Sequence, residues 1–179
     1  PIEAALAEAQ RLGYAEADPT LDVGGGDAAQ KLCVLAQLAF GARLKPEDVL
    51  TEGIMGLRPE DFAWGREAGY ALKLLAIARR VDADQIEARV HPAFIPAGSM
   101  LAGVRGAMNA VLLHSEALGP SMLFGQGAGA MPPGSAVVAA IIDLTRNILS
   151  GSPGRVPLPP AHPQVRLRPH AEIRSSYYL

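Results

Sequence analysis

The stretch LGYAEADPTLDVGGGDAAQKLCVLAQLAFG, residues 12–41, decides how this chain folds. Its first half is rich in glycine and carries a cluster of tyrosine and acidic side chains, namely Tyr14, Glu16, Asp18, Asp22 and Asp27. Its second half, residues 28–40, is apolar except for Gln30, Lys31 and Gln37. A helix that is apolar on nearly all sides is normally buried. The sequence therefore predicts a buried helix behind an acidic loop, with Asp27 as its N-cap and Gly41 at its end.

Lys31 is the one basic residue of that helix. A buried lysine is costly unless anions surround it, and the acidic loop directly upstream offers them. Asp27 lies four residues before Lys31 and so shares its helix face. Two interpretations stay open: a surface ion pair next to a helix cap, or a half-buried ammonium tuned for proton transfer. The apolar neighbours of Lys31 favour the second.

The other polar residues of the loop have the same two interpretations. Glu16 and Asp22 are either turn residues, as Asp18 before Pro19 is predicted to be, or ligands of a substrate. Carboxylates facing a substrate ammonium would each contribute a charge-assisted hydrogen bond of about 1.5–3 kcal/mol. Tyr14 is more often a packed ring than a ligand contact.

Composition narrows the class of protein. The 179 residues fit one domain, and a net charge of −2 without a basic cluster argues against a nucleic-acid partner. No run of about 18 apolar residues predicts a membrane span. The single cysteine, Cys33, leaves no intramolecular disulfide, fits a reducing cytoplasmic compartment and is interpreted as a small core residue. No metal-binding motif is present, so no metal site is predicted.

Helices are predicted over residues 2–12, after Pro46, from Pro59 and over residues 135–148. Residues 70–79 and 85–91 read as an antiparallel hairpin, and residues 108–113 and 122–124 as two more strands joined across Gly119-Pro120. All four are expected to form one sheet. The predicted fold is α+β, with a mostly antiparallel sheet and helices packed on one face.

The strand over residues 85–91 alternates strictly. Its apolar positions, Ile86, Ala88 and Val90, are expected to face the core. Its polar positions, Glu87, Arg89 and His91, are expected to face solvent or a partner. We predict that a second copy of the chain covers this sheet in a twofold homodimer.

The segment GQGAGAMPPG, residues 125–134, places glycines before a helix, where backbone amides can approach an anion or a cofactor. It has neither the spacing nor the strand–helix–strand setting of a dinucleotide fingerprint, so the pattern alone is weak.

Several blocks carry a family resemblance. GYAEADPTLDVGGGDAAQKL (residues 13–32) resembles the signature of homoserine dehydrogenases, and HPAFIP, GVRGAMNAV and FGQGAGAMPPGSAVVAAIIDL resemble later blocks of that family in the same order. The resemblance spans roughly residues 1–150. It departs from the family at Pro133, where a threonine is common.

The resemblance implies roles for individual residues. Lys31 would be the proton-transferring lysine and Asp27 a substrate-side carboxylate; Glu16 would bind the substrate amino group, with Tyr14 and Asp22 nearby. The loop at the nicotinamide end would be Gly127, Ala128 and Gly129. The implied reaction is the NADP- or NAD-dependent interconversion of aspartate semialdehyde and homoserine, in a homodimer or homotetramer.

The resemblance also implies three regions in a piece of a longer polypeptide. Residues 1–124 would form the substrate-binding, catalytic and dimerisation region, and residues 125–150 a loop and helix returning to an absent nucleotide-binding domain. Residues 151–179 would be a proline-rich linker and the start of an ACT-like regulatory domain. Two alternatives stay open: a non-catalytic dimerisation or amino-acid-binding module, and the substrate domain of another nicotinamide oxidoreductase.

Overall fold

The structure, a computed structural model, describes residues 2–15, 17–127, 129–152 and 165–176. In these ranges the α-helices are α1 (Ile2–Arg11), α2 (Thr20–Val23), α3 (Gly26–Phe40), α4 (Pro59–Glu67) and α5 (Met131–Leu149). The strands are β1 (Leu50–Thr51), β2 (Tyr70–Arg80), β3 (Gln85–Pro96), β4 (Met108–Ser115), β5 (Gly119–Gln126) and β6 (Arg166–Leu167). Short 3₁₀ helices occupy Pro46–Asp48, Met100–Gly103 and His170–Glu172.

Strand β3 organises a four-stranded sheet. It lies between β1 and β2, and β6 pairs with it as well. The connection from β2 to β3 is too short for a parallel crossover, so this pair is antiparallel, as predicted. β1 and β6 instead run parallel to β3, with Leu50 opposite Arg89 and Leu167 opposite Ile86. The α+β class is confirmed, and the sheet is mixed because of these two short parallel strands.

The β4–β5 hairpin is a separate two-stranded antiparallel sheet, so the expectation of a single sheet is wrong. Its register runs from Met108 opposite Gln126 to Ser115 opposite Gly119. Gly119 and Pro120 therefore open β5 instead of forming the turn, and residues 116–118 make the connection. Gly119 has a φ of 72°, a left-handed backbone that suits a residue leaving a tight turn.

Helix α3 covers one face of the four-stranded sheet. Its residues Ala29 and Leu32 pack with Val49, Ala88 and Val90 in one buried cluster. A second cluster joins Ala36, Ala42 and Ile86. Ile86 and Val90 are fully buried, and each such side chain contributes about 1.5–3 kcal/mol. The prediction that Ile86, Ala88 and Val90 face the core is confirmed.

The start of α3 depends on glycine. Gly25 is the N-cap, with a φ of 81°, and a Cβ there would lie 3.1 Å from Thr51 Cγ2 and 3.2 Å from Val90 Cγ1. Asp27 is therefore the second residue of the helix, and the prediction that it is the N-cap is wrong. The left-handed glycine starts the helix two positions earlier and leaves the Asp27 carboxylate free for another partner. Gly41, at φ 69°, ends the helix as predicted.

The chain divides into two compact units, each assembled from three stretches. One comprises Pro1–Ala17, Pro59–Leu72 and Phe94–Val156; the other comprises Asp18–Arg58, Lys73–Ala93 and Pro157–Leu179. The first contains α1, α4, α5 and the β4–β5 hairpin, and the second contains α2, α3 and most of the four-stranded sheet.

Within the first unit, α5 begins at Met131, four residues before the predicted start, with prolines in its first turn. None of the residues of α5 is buried. Its large apolar side chains are therefore exposed, among them Val137, Ile141, Leu144 and Ile148.

Residues 177–179, at the end of the region that the resemblance assigns to a linker and the start of an ACT-like domain, lie outside the described residues. Residues 153–164 of the proline-rich segment do so as well. Within the described ranges, no helix combines the length and the apolar composition needed to cross a bilayer.

Candidate active site

The Lys31 ammonium and the Asp27 carboxylate form the centre of the candidate site. Both lie on α3, one turn apart, and Lys31 Nζ donates a hydrogen bond to Asp27 Oδ2 at 2.7 Å. The helix that carries them is held rigidly, because Ala29 and Leu32 anchor it to the sheet. The pair therefore presents a positioned cation next to a positioned carboxylate.

The burial predicted for Lys31 is wrong in this chain. Its side chain is 66% exposed, and that of Asp27 is 42% exposed. The reason is that α3 buries only the stripe of Ala29, Leu32 and Ala36. Several of its other apolar residues, including Val34 and Leu38, are exposed.

Residues 18–25 of the acidic loop form a turn and the short helix α2 directly upstream of the pair. Asp18 accepts hydrogen bonds from the Thr20 amide and hydroxyl, which confirms it as a turn residue and lowers the pKa of its carboxyl group. Asp22 lies on α2 and is exposed. The backbone of Gly53 packs so closely on Val23 and Gly24 that no side chain would fit there, and the Ile54 amide donates to the Val23 carbonyl at 2.8 Å. These contacts hold the end of α2 against the segment that follows β1.

Two of the predicted site residues, Glu16 and Ala128, lie outside the described residues. Tyr14 belongs to the first unit, follows α1, and has a ring that is 47% exposed. The convergence of Glu16 with Asp27 and Lys31 stays a prediction.

The two described glycines of the candidate cofactor loop differ. Gly127 donates its amide to the Ala107 carbonyl at 3.1 Å, and a Cβ there would collide with the Asn109 side chain. A side chain at position 127 would therefore force the exposed Asn109 side chain to move. Gly129 has a φ of 97°, and the nearest atom to an added Cβ is Pro132 Cδ at 3.9 Å. Its Cα surface is open to a flat ligand.

Strand β3 carries a buried cluster of charged side chains on the face whose polar residues were expected to be open. Glu87 was expected to face solvent or a partner, but it is 1% exposed within the chain itself, so the expectation of an open face is wrong at this position. Its Oε1 lies 2.8 Å from Arg79 Nε and 3.0 Å from Arg89 Nη1. Burial raises the pKa of Glu87, but the two guanidinium groups outweigh it and hold the pKa below its ordinary value. The sequence could have indicated this ion pair, because Arg89 lies two residues after Glu87 and so is on the same face of the strand.

His91 continues this cluster and is partly buried rather than open. Arg89 Nε donates to His91 Nε2 at 3.0 Å, and the other ring nitrogen lies 2.8 Å from the Pro92 carbonyl. Both ring nitrogens of His91 therefore have a polar partner on or next to β3.

Cys33 packs against the core cluster, as predicted. Burial and the charges of Asp48 and Glu47 raise the pKa of its thiol. Among the described residues, no group of three histidine, cysteine or acidic side chains is placed to hold a metal ion.

Comparisons with known proteins agree on one class. The family model described as homoserine dehydrogenase matches residues 1–142. A homoserine dehydrogenase of Neisseria gonorrhoeae is 45% identical over 178 residues, covering 97% of this chain and 41% of the relative. The chain thus spans about two fifths of the length of the curated relatives it matches.

Solved structures give the same result. The crystal structure of a homoserine dehydrogenase from Thiobacillus denitrificans shows a TM-score of 0.82 at 48% identity, covering 93% of this chain and 39% of that one. A hyperthermophilic archaeal homoserine dehydrogenase in complex with NADPH has a TM-score of 0.62 at 27% identity, covering 82% of this chain and 41% of that one. Fold and sequence therefore define a part of an oxidoreductase. The chain belongs to the homoserine dehydrogenase family.

Proposed function

We propose that this chain is the substrate-binding and catalytic portion of an NADP- or NAD-dependent homoserine dehydrogenase. The reaction is the interconversion of L-aspartate 4-semialdehyde and L-homoserine in the cytoplasmic biosynthesis of threonine, methionine and isoleucine. The observation that carries the proposal is the 2.7 Å pair of Lys31 and Asp27, which lies within the residues that match the family model. A carbonyl oxygen that gains negative charge needs such a cation close by.

Lys31 would exchange the proton of this reaction. Its ammonium has three donors, and one is engaged by Asp27. The remaining N–H groups are available to a substrate oxygen or to a bridging water. Lys31 would donate a proton to that oxygen during reduction and accept it during oxidation. Asp27 would hold the ammonium in one position and keep its charge compensated.

The remaining predicted residues would hold the substrate. An amino-acid substrate carries an ammonium group, which carboxylates bind through charge-assisted hydrogen bonds. Glu16 would bind this group, with Tyr14 and Asp22 nearby. These assignments follow from the family resemblance of the segment in which the residues lie.

The nicotinamide cofactor, when bound, would supply or accept the hydride. The described residues fit one side of such a ring, because the open backbone at Gly129 allows a flat group to approach closely. Gly127 would shape the loop through its packing on Asn109, and Ala128 would complete it. No phosphate-binding fingerprint occurs in the sequence, so the rest of the cofactor would be held elsewhere in the protein.

The exposed apolar surfaces support the proposed division of the chain. α5 and the preceding loop, residues 125–150, would return to the nucleotide-binding domain, which would cover the bare apolar side chains of the helix. Residues 1–124 would form the catalytic and dimerisation region, and residues 151–179 would lead towards a regulatory domain. A homodimer or homotetramer would cover the exposed leucines of the β4–β5 hairpin, such as Leu118 and Leu123. Light scattering of the full-length protein would measure this; a monomer at micromolar concentration would contradict it.

Turnover of the full-length protein tests the role of Lys31. We expect Lys31→Ala to lower kcat for homoserine oxidation about 10²- to 10⁴-fold, the usual contribution of a positioned acid–base group. The KM for homoserine should change less, because Glu16 would still bind the amino group. Gln30→Ala is the matched control, since Gln30 is the exposed neighbour on the same helix.

The exposure of Lys31 favours one rival, a module that binds an amino acid without catalysing its reaction. The same experiment separates the two. A full-length wild-type protein that binds homoserine without oxidising it would favour the binding module. A Lys31→Ala protein that keeps wild-type kcat would instead reject the proposed role of Lys31.

A further inference from the structure

A cavity of about 550 Å³ lies in the second unit and has no part in the proposed reaction. The residues that line it are Arg79, Arg168, Ala171, Glu172 and Arg174. None of them belongs to the predicted active site. The cavity is therefore a feature that the homoserine dehydrogenase reaction does not explain.

Strand geometry explains why arginines meet here. Leu167 of β6 packs into the core beside α3, so the next residue, Arg168, points to the opposite face of the sheet. The Arg168 amide continues the pairing by donating to the Ile86 carbonyl at 2.7 Å. That same face carries Glu87 and its partner Arg79. The 3₁₀ turn His170–Glu172 then directs Glu172 and Arg174 back to Arg79 and Arg168.

The charges around the cavity do not balance. Three guanidinium groups line it and only one carboxylate, Glu172, does so. Glu172 Oε2 lies 3.8 Å from Arg168 Nε, too far for a hydrogen bond. Arg168 Nε is buried and has no hydrogen-bond partner among the described residues. Because Nε is fully buried, a bound anion would contact Arg168 through the exposed part of its side chain.

We propose that this cavity binds a small dianionic ligand through paired oxygens, either a phosphate group or a dicarboxylate. The guanidinium fork matches both oxoanions geometrically, and the arginines that line the cavity outnumber its carboxylates. A volume of about 550 Å³ is in the range of small-molecule sites. Arg168 and Arg174 bind the ligand directly, while Arg79 contributes the part of its guanidinium that is not engaged with Glu87. This proposal does not depend on the proposed reaction.

Calorimetric titration of the full-length protein with inorganic phosphate and, separately, with succinate tests it. Sodium chloride keeps the ionic strength constant, so that general screening does not imitate binding. We expect one saturable site per chain with a Kd of about 1 mM or below for at least one of the two anions. Binding of phosphate alone identifies a phosphorylated ligand, and binding of succinate alone identifies a dicarboxylate.

Variants locate the site. Arg174→Gln and Arg168→Gln should each weaken binding about 10- to 100-fold, the effect of losing one charge-assisted hydrogen bond. Arg174→Lys should retain more affinity than Arg174→Gln, because it keeps the charge. Arg43→Gln, which removes an exposed arginine elsewhere in the same unit, should bind like the wild type.

Because Arg174 is exposed, its substitution leaves the fold intact and keeps the test decisive. The proposal is overturned if neither anion binds saturably or if Arg174→Gln binds like the wild type. It is also overturned if Arg43→Gln weakens binding as much as the cavity variants do. A crystal structure of the full-length protein with its own downstream residues filling the cavity would overturn it as well.

Discussion

Helix α3 and strand β3 each carry a carboxylate paired with a cation, but the two carboxylates differ in burial and in the number of their partners. On α3, Asp27 and Lys31 are one helical turn apart, and 42% and 66% of their side chains are exposed. On β3, Glu87 is 1% exposed and is held by two arginines, one of which, Arg89, is 13% exposed. The exposed pair lies within the motif that resembles a catalytic signature, and the buried cluster lies outside it.

The two carboxylates are expected to contribute differently, one to the stability of the fold and the other to the proposed reaction. An exposed i,i+4 ion pair contributes little to the free energy of unfolding, because water screens it and its side chains lose freedom. A buried carboxylate that loses a partner is strongly destabilising, because its charge is left uncompensated. Variants at Lys31 should therefore report on chemistry, and variants at the Glu87 cluster on folding.

The largest effect that tests this comparison is on stability. Arg89→Leu should lower the free energy of unfolding by about 3 kcal/mol, because Glu87 would keep only the exposed Arg79 as a partner. Lys31→Ala should change it by less than about 1 kcal/mol. Urea unfolding of the full-length protein measures both.

Arg43→Leu is the control for removing a charged side chain from an exposed position of the same unit. Equal losses for Arg89→Leu and Lys31→Ala would break the contrast between the two pairs. A large loss for Lys31→Ala alone would mean that the lysine is structural.

A smaller effect concerns pH. Burial raises the pKa of Glu87, but the opposite effect of Arg89 and Arg79 is larger. The pKa in the folded state therefore lies below the ordinary value of 4.5. A carboxyl group whose pKa is lowered by folding stabilises the folded state at any pH above its pKa in the unfolded chain. This stabilisation is lost as the pH falls through the pKa of the folded state. Wild type should therefore be more stable than Glu87→Gln at neutral pH, and the difference should shrink as the pH falls below 4.5.

Unfolding midpoints of the two proteins across this acid range provide the measurement. A difference that stays constant with pH would show that the charge of Glu87 is not what stabilises the cluster.

Local signals in the sequence were sufficient for most elements. Gly41 ends α3 and Pro59 begins α4, as turn and helix-start preferences predict. Alternation over residues 85–91 identified β3 and the face that packs on α3. These features depend on backbone preferences and side-chain periodicity, both of which are readable within a few residues.

The errors concern what covers each surface. The alternation of apolar and polar residues predicts the two faces of β3. It does not predict that residues from Arg168 onwards pack near the polar face and line a cavity there. An apolar helix predicts burial, yet α3 covers only a narrow stripe in a chain that spans 41% of a relative's length. Asp27 was misplaced as the cap because the N-cap is Gly25, where a left-handed backbone and the close approach of Val90, a residue distant in the sequence, favour glycine. For the candidate site, the spacing of four residues was enough to predict that Asp27 and Lys31 share a helix face. Their exposure could not be predicted, because it depends on which other segments pack against that face.

The parallel pairing of β6 with β3 has a consequence for the order of folding. The ion pair between Arg166 and Asp84, which lie 82 residues apart, shows how late in synthesis the last neighbour of β3 becomes available. Contacts at such separation slow folding, since a long loop must close before they form. On the ribosome, the β2–β3 hairpin and α3 therefore wait with the first residues of β3, Gln85 and Ile86, unpaired on one edge until residue 167 has left the exit tunnel. During that interval the edge is open to pairing with another nascent chain, and fast elongation through residues 97–165 shortens the exposure.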